Sequence, residues 1–171
     1  MHFKPNFDHP RRGHMSWTYK AVRPTEPGPF DASMPGSKER TSMLLPNKPE
    51  DWPRLFEQHI NAGDLDAVMA LYDPDARFVS GSGETLVGRD AIRKLLGAMI
   101  DAKTQLRSRV VRAVTVGDIA QLYTDFEGTT VDSPSKTVPV HNKAIEVLRR
   151  QRDGDWMLII GDPNARITLE K

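Results

Sequence analysis

The spacing of hydrophobic positions changes part-way along the chain. Between residues 50 and 100, apolar residues recur every three or four positions, which is the spacing of amphipathic helices. The first such stripe comprises Trp52, Leu55, Phe56, His59 and Ile60. Gly63 follows as a helix stop, and Asp64 suits the N-cap of a second helix. A third helix is predicted from Gly88 onwards. Beyond residue 105 the pattern alternates every two residues, which is typical of strands.

The second half of the chain predicts three or four long strands in an antiparallel meander. One runs from Leu106 to Val116 and the next from Ile119 to Val131. A short strand at Ala76–Ser80 precedes them. The turn GSGE follows it, and this turn lacks the Lys-Ser/Thr of a phosphate-binding loop. Helices first and antiparallel strands afterwards predict an α+β fold, with the helices on one face of a bent sheet.

The final hairpin, from His141 to Asn164, carries most of the candidate polar groups. Asp153-Gly154 predicts its turn, because glycine supplies the positive φ that tight hairpin turns need. The residues near the turn are apolar, and the polar residues lie towards the open end of the hairpin. A hairpin of this kind can form one wall of a pocket.

Composition narrows the possible functions. The chain has 171 residues, which suits one domain. Residues 1–48 hold 7 of the 13 prolines and show no apolar periodicity, so we predict a flexible N-terminal extension and a folded domain over residues 49–171. A net charge of +1 gives no argument for nucleic-acid or membrane partners. No apolar run approaches the length of a membrane span.

The absence of cysteine excludes disulfides, cysteine–metal sites and thiol nucleophiles. It fits a cytoplasmic protein. No grouping of His, Asp and Glu has metal-ligand spacing, so we expect neither a metal nor another cofactor.

Three segments resemble the nuclear transport factor 2-like superfamily, and within it the bacterial ketosteroid isomerase-like and SnoaL-like proteins. They are NAGDLDAVMALYDPDARFV, GRDAIRKLL and RRQRDGDW, and the resemblance covers residues 50–164. It implies a cone-shaped α+β barrel in which three helices pack on a strongly curved sheet around an apolar pocket, usually in a homodimer. The family includes isomerases, cyclases, hydrolases and proteins with no known reaction, so the fold does not name the activity.

Comparison with the ketosteroid isomerases tests three catalytic positions. Their general-base aspartate corresponds to Ser80, and their oxyanion-hole tyrosine corresponds to Phe56. Their protonated aspartic acid corresponds to Glu146. Serine cannot abstract a carbon-bound proton at neutral pH without a partner base. The resemblance therefore implies a retained carboxyl group but no steroid isomerase activity.

Glu146 is the main catalytic candidate, because the two-residue period places it with Ala144 and Leu148. A carboxyl group in an apolar pocket is suited to acid or base chemistry. The alternative is a glutamate on the convex, solvent-facing or dimer-facing side, since Ile145 and Val147 are apolar as well.

Other candidates are predicted around the same pocket. Asp162 is a second acid/base candidate and Asn164 a hydrogen-bond donor, if the face shared by Trp156, Leu158 and Ile160 lines the pocket; the alternative is a turn that leaves the sheet. Predicted ligand contacts complete the set: Trp52, Phe56, Tyr72, Phe78, Ser80 and His141.

The sequence leaves three functions of different classes open: a binding protein, an enzyme and a purely structural dimerisation domain. The first is a homodimeric pocket protein that binds a small, largely apolar molecule, with the dimer formed through the sheet. The second is a cofactor-independent isomerase, cyclase or hydrolase that uses Glu146 or Asp162 as acid or base.

Overall fold

The computed structural model describes residues 45–133 and 136–165. The predicted N-terminal extension lies outside these residues up to position 44, so that division of the chain stays a prediction. The first described residues already contact the domain. Leu45 packs against the hydrophobic core, and the backbone N–H of Trp156 donates to the carbonyl of Pro46 at 2.8 Å.

The helical half begins with a short 3₁₀ turn at Pro49–Asp51, followed by three helices: α1 Trp52–Ala62, α2 Leu65–Ala70 and α3 Arg89–Asp101. The predicted caps are confirmed. Gly63 ends α1 in the left-handed conformation at φ 72°, which glycine adopts without steric cost. The carboxylate of Asp64 accepts a hydrogen bond from the backbone N–H of Ala67 at 3.0 Å, as expected for an N-cap.

The strands form one six-stranded sheet in the order β2-β1-β6-β5-β4-β3. The strand bounds are β1 Tyr72–Val79, β2 Thr85–Val87, β3 Gln105–Val116, β4 Ile119–Ser133, β5 Lys136–Arg150 and β6 Trp156–Asp162. The sheet curls without closing, and the helices precede most of it. This confirms the predicted cone-shaped α+β fold.

The region between α2 and β2 differs from its prediction. Tyr72 starts β1, so this strand begins four residues before the predicted strand at Ala76. β1 pairs parallel with β6, and the pairing is irregular between Tyr72 and Arg77. This irregularity accommodates Pro74, which has no N–H to donate to a regular ladder. The partner of β1 comes from the end of the chain, so local spacing does not reveal it.

Alternation along the long strands separates an inner from an outer sheet face. On β4, Leu122, Thr124 and Phe126 are buried, whereas Tyr123 and Asp125 between them are partly exposed. The inner residues join the helices in one core, which includes Trp52, Leu55, Ile60, Ile92, Leu96, Leu148 and Leu158. The helices thus lie on the inner face, as predicted.

Polar side chains of α1 cover the free edge of β3. Asn61 accepts from the backbone N–H of Leu106 at 2.7 Å and donates to its carbonyl at 2.8 Å. Glu57 accepts from both the N–H and the hydroxyl of Ser108, each at 2.7 Å. An uncovered edge strand is a template for unwanted pairing, so these contacts protect the sheet and fix α1 against it.

A buried carboxylate ties β1 to the final hairpin. The side chain of Asp73 is 1% exposed and accepts hydrogen bonds from Arg149 Nη2 at 2.9 Å, from Gln151 Nε2 at 2.9 Å and from the backbone N–H of Asp75 at 3.0 Å. Burial alone would raise the pKa of Asp73, but these hydrogen bonds and the charge of Arg149 lower it below its ordinary value. The side chain of Arg149 is 45% exposed, and its guanidinium binds Asp73 at the same time.

Candidate functional site

One cavity lies between the helices and the inner face of the sheet, with a volume of about 190 Å³. Its walls are mostly apolar. The apolar lining residues are Trp52, Phe56, Phe78, Leu95, Met99, Leu106, Phe126, Ala144, Leu158 and Pro163. The indole N–H of Trp52 donates to the carbonyl of Leu71 at 2.9 Å. The polar atom of this ring is therefore satisfied within the protein.

Four polar side chains border the same cavity. Glu146 and Asn142 come from β5, and Asp162 and Asn164 come from the end of β6 and the turn after it. The amide of Asn142 donates to Asn164 Oδ1 at 2.9 Å, which joins β5 to that turn. The backbone N–H of Asn164 donates to Asp162 Oδ1 at 3.0 Å. The predicted turn geometry at Asp162 is therefore present, and the turn borders the cavity.

Glu146 is the buried acidic residue of this cavity. It is 3% exposed and lies on the inner face of β5, between the buried residues Ala144 and Leu148. The hydroxyl of Thr124 on β4 donates to Glu146 Oε2 at 2.9 Å. The two-residue period therefore gave the correct face, and the alternative outer-face position is excluded.

Behind the cavity wall, Tyr72 is completely buried. Within the described part of the chain, its hydroxyl has no hydrogen-bond partner. Burial, and next the negative charge of Glu146, raise the pKa of Tyr72 far above its ordinary value. The phenol therefore stays neutral at any physiological pH, beside a carboxyl group that it does not bind.

We expect Tyr72→Phe to raise the free energy of unfolding by about 1 kcal/mol, because it removes a buried hydroxyl that lacks a partner. The raised pKa of Tyr72 also makes the free energy of unfolding depend on pH in the alkaline range. Above about pH 10 the unfolded chain ionises this phenol and the native state does not, so wild-type stability falls there. Tyr72→Phe lacks this phenol, so its stability should fall less than that of wild type above about pH 10. Urea unfolding between pH 7 and pH 11 measures both effects, with Tyr123→Phe on the outer face as control. If Tyr72→Phe is less stable than wild type at pH 7, the hydroxyl of Tyr72 has a stabilising partner and the prediction is wrong.

The structure brings most of the predicted site residues together, but not all. Trp52, Phe56 and Phe78 line the cavity, as do Glu146, Asp162 and Asn164. Three others do not line it. Tyr72 packs behind the wall, against the rings of Trp52 and Phe78. Ser80 lies in the turn after β1, where its hydroxyl is 2.8 Å from that of Ser82. His141 is exposed, because alternation along β5 puts it on the face opposite to Asn142 and Ala144.

Residues 53–159 match the model of the SnoaL-like domain, which is more than half of the chain. The chain belongs to the SnoaL-like domain family. No protein of curated function matches it.

Solved structures similar to this SnoaL-like domain support the same fold. A ketosteroid isomerase-like protein from Erwinia carotovora atroseptica aligns with a TM-score of 0.59 and 20% identity, over 66% of this chain and 89% of that one. A conserved protein from Planctomyces limnophilus aligns with a TM-score of 0.61 and 14% identity, over 66% and 89%. A proposed dehydratase of the NTF2-like family from Streptomyces avermitilis aligns with a TM-score of 0.56 and 16% identity, over 65% and 88%. At these identities the likeness establishes the fold alone.

An irregularity in β6 changes which residues of this SnoaL-like domain reach the cavity. Leu148 pairs with Leu158, but the next residue back, Val147, pairs with Ile160. One extra residue, Ile159, therefore sits opposite this step, and the alternation reverses. Ile160 is 46% exposed, whereas Gly161 is buried and lines the cavity. The face assumed to be common to Trp156, Leu158 and Ile160 is therefore divided.

Sequence reasoning missed three residues that shape the site. Thr124 holds Glu146, Asn142 holds Asn164, and Gly161 forms part of the wall. A Cβ at Gly161 would lie 2.8 Å from the ring of Phe78, so only glycine lets that ring pack there. The inward parity of Thr124 with Leu122 and Phe126 was visible, but its partner was not. The pairing of β4 with β5 had to be known first.

Among residues 45–133 and 136–165, no three His, Asp or Glu side chains are grouped so that they could hold a metal ion. None of the helices that the structure describes is long and apolar enough to cross a membrane.

Proposed function

We propose that this SnoaL-like domain binds a small, largely apolar molecule in the cavity, with Glu146 as its main polar contact. The observation that carries the proposal is a mostly apolar cavity that has one buried carboxyl group in its wall. Such a combination of apolar walls and few polar groups is typical of small-molecule sites. A domain that needed only stability would gain by filling this space, since cavities cost packing energy.

The cavity size limits the ligand. A cavity of about 150 Å³ holds benzene, whereas sites for drug-sized molecules occupy about 300–1,000 Å³. At about 190 Å³ this cavity fits a single ring with a short substituent. Phe56 has no hydroxyl, and Ser80 lies outside the cavity, with its hydroxyl bound to that of Ser82. Neither position therefore supplies the oxyanion-hole phenol or the general base that steroid isomerisation needs.

Toluene binding, with a variant that fills the cavity, tests the proposal. Ala144 is buried in the cavity wall, so Ala144→Leu places three more carbons in the space a ring would occupy. We expect wild type to bind toluene with a negative heat-capacity change, measured by titration calorimetry at several temperatures. Ala144→Leu should weaken binding at least about tenfold, equal to about 1.4 kcal/mol.

The matched control is Ala113→Leu. Ala113 is partly buried on β3 and packs against the core, but it is not a cavity residue. We expect it to bind toluene as wild type does. If toluene does not bind the wild-type chain, or if Ala144→Leu binds it equally well, the cavity is not the ligand site.

We also propose that the domain forms a homodimer through the outer face of the sheet. Tyr123, Ile145 and Val147 are neighbours on this face, and Ile160 lies beside Val147. Arg112 stacks over the ring of Tyr123 at 5.7 Å. Ile160 is exposed, and Tyr123, Ile145 and Val147 are partly exposed. Accessible apolar side chains that form a contiguous group on a sheet face are typical of protein–protein interfaces. A two-fold axis would let this face pair with its own copy.

A further inference from the structure

The residues that line the cavity divide into a floor and a rim. The floor is the set of lining residues that are buried, and it includes Trp52, Phe56, Phe126, Ala144 and Leu158. The rim is the set that is exposed or partly exposed, and it includes Phe78, Gly81, Leu95, Met99 and Asn142. Gly81 is exposed in the turn between β1 and β2. The cavity therefore reaches the surface of the part of the chain that the structure describes.

Three separate parts of the chain form the rim. The turn between β1 and β2 supplies one side, and α3 supplies another through Leu95 and Met99, which lie one helical turn apart. The third side comprises Asn142 on β5, Asp162 at the end of β6 and Asn164 in the turn after it. The amide of Asn142 donates to Asn164 at 2.9 Å, which ties this side together. Of the four polar side chains that border the cavity, three thus lie on the rim.

The floor and the rim favour different parts of a ligand. An apolar ring gains free energy when it leaves water for the floor, whereas a polar group that loses its water there must find hydrogen bonds. At the rim a polar group keeps its contact with water and avoids this cost. A cavity of about 150 Å³ holds benzene, so one ring nearly fills a volume of about 190 Å³. Any longer part of a ligand must therefore extend past the rim.

We propose that the natural ligand is an amphiphile: an apolar ring occupies the floor, and a longer polar part extends past the rim into water. Asn142 shares the inner face of β5 with Ala144, so the proposed dimer contact on the outer face leaves this part of the rim accessible. This inference rests on the proposed function, because it assumes that the cavity holds a ligand. It adds the chemical class of that ligand and the direction in which it lies.

Three probes that share one benzene ring test the inference: toluene, phenylbutanol with its hydroxyl at the far end of the chain, and the glucoside of that hydroxyl. A sugar cannot enter a cavity that one ring nearly fills, so the glucoside binds only if its end stays outside. In titration calorimetry at pH 7 with the full chain, we expect the affinity of the glucoside to lie within about threefold of that of phenylbutanol. Both should bind at least as tightly as toluene, because their methylene groups contact the apolar rim residues Leu95 and Met99.

Asn142→Phe locates the exit. Asn142 is partly exposed and pairs with Phe126 of the floor, so a larger ring at this position narrows the rim above the floor. Toluene affinity should stay within about threefold of wild type, whereas the glucoside should bind at least about tenfold more weakly. His141→Phe is the matched control. It adds the same ring one residue earlier on the exposed, opposite face of β5, and it should change none of the three affinities.

The outcomes separate this inference from the proposed function. If toluene binds wild type but the glucoside binds more than about threefold more weakly than phenylbutanol, or if phenylbutanol binds more weakly than toluene, the cavity encloses its whole ligand. The amphiphile is then wrong, while the cavity remains a binding site. If toluene does not bind, the proposed function fails and this inference fails with it.

The variant adds a second decision. If Asn142→Phe binds the glucoside as wild type does, or loses toluene and the glucoside alike, Asn142 does not border the exit and the division into floor and rim is wrong. If Asn142→Phe does not fold, the comparison of the three probes on wild type still decides.

Discussion

Asp73→Asn is expected to lower the free energy of unfolding by about 3 kcal/mol at pH 7. Asp73 is buried and accepts from Arg149, Gln151 and the backbone N–H of Asp75. Hydrogen bonds to a charged group contribute about 1.5–3 kcal/mol, and removing one partner of a buried ion pair costs about 3–5 kcal/mol. We expect about 3 kcal/mol, the lower end of the range for a buried ion pair, because the Arg149 side chain is 45% exposed.

The same interaction makes this part of the stability depend on pH. The pKa of Asp73 is lower in the folded than in the unfolded chain. Its contribution is therefore complete above the unfolded pKa, near pH 4, and is lost as pH falls through the lower folded pKa. The difference between wild type and Asp73→Asn should shrink below about pH 4. Urea unfolding at pH 7, 5, 4 and 3 measures it.

Asp75→Asn is the matched control for this prediction. Asp75 lies 4.0 Å from Arg149, but its side chain is 86% exposed. Exposed ion pairs contribute about 0–1 kcal/mol, so this variant should differ little from wild type. Equal stability of Asp73→Asn and wild type at pH 7, or a difference that stays constant down to pH 3, would contradict the role given to Asp73.

Ile160→Glu is expected to raise the dissociation constant of the proposed dimer by about 100-fold or more. Ile160 is 46% exposed on the outer face, beside Val147. In a two-fold dimer each copy contributes this residue, so two carboxylates would be buried in one apolar contact. Sedimentation velocity at a protein concentration of about 10 μM should show a dimer for wild type and a monomer for Ile160→Glu.

Ala98→Glu controls for the added charge alone. Ala98 is exposed on α3, on the helical side of the sheet, so the dimer should persist in this variant. A wild-type chain that sediments as a monomer, or an Ile160→Glu variant that stays dimeric, would remove the outer face as the interface.

Features that depend on neighbours in sequence could be predicted. Gly63 and Asp64 form the caps that their residue types favour, and alternation placed Glu146 on the inner face of β5. The resemblance to SnoaL-like proteins supplied the overall fold, because the order of the helices and strands carries it. Local signals of this kind are short-range and do not need the tertiary structure.

Features that depend on distant pairing could not be predicted. The parallel contact of β1 with β6 joins residues about 85 positions apart, and it decides that Tyr72 belongs to a strand. The extra residue Ile159 reverses the face of β6, which a strict two-residue period cannot anticipate. The binding of Arg149 by Asp73 arises from the same long-range packing.

Two predicted ligand contacts missed the cavity for a simpler reason. His141 follows the alternation of β5 and therefore faces outwards, which the parity of Glu146 already implied. Ser80 was chosen by correspondence with the isomerase base, but here it closes a Gly-rich turn with Ser82. A correspondence in sequence fixes the position on the backbone, and the hydrogen bonds of the turn then decide where the side chain lies.

A crystal structure of the full chain with benzylamine tests the central claim most directly. We predict that the ring lies against Trp52, Phe56 and Phe126, and that its nitrogen is within about 3 Å of a carboxylate oxygen of Glu146. An amine bound elsewhere, with the cavity unchanged, or a ring in the cavity whose nitrogen points away from Glu146, would contradict the account.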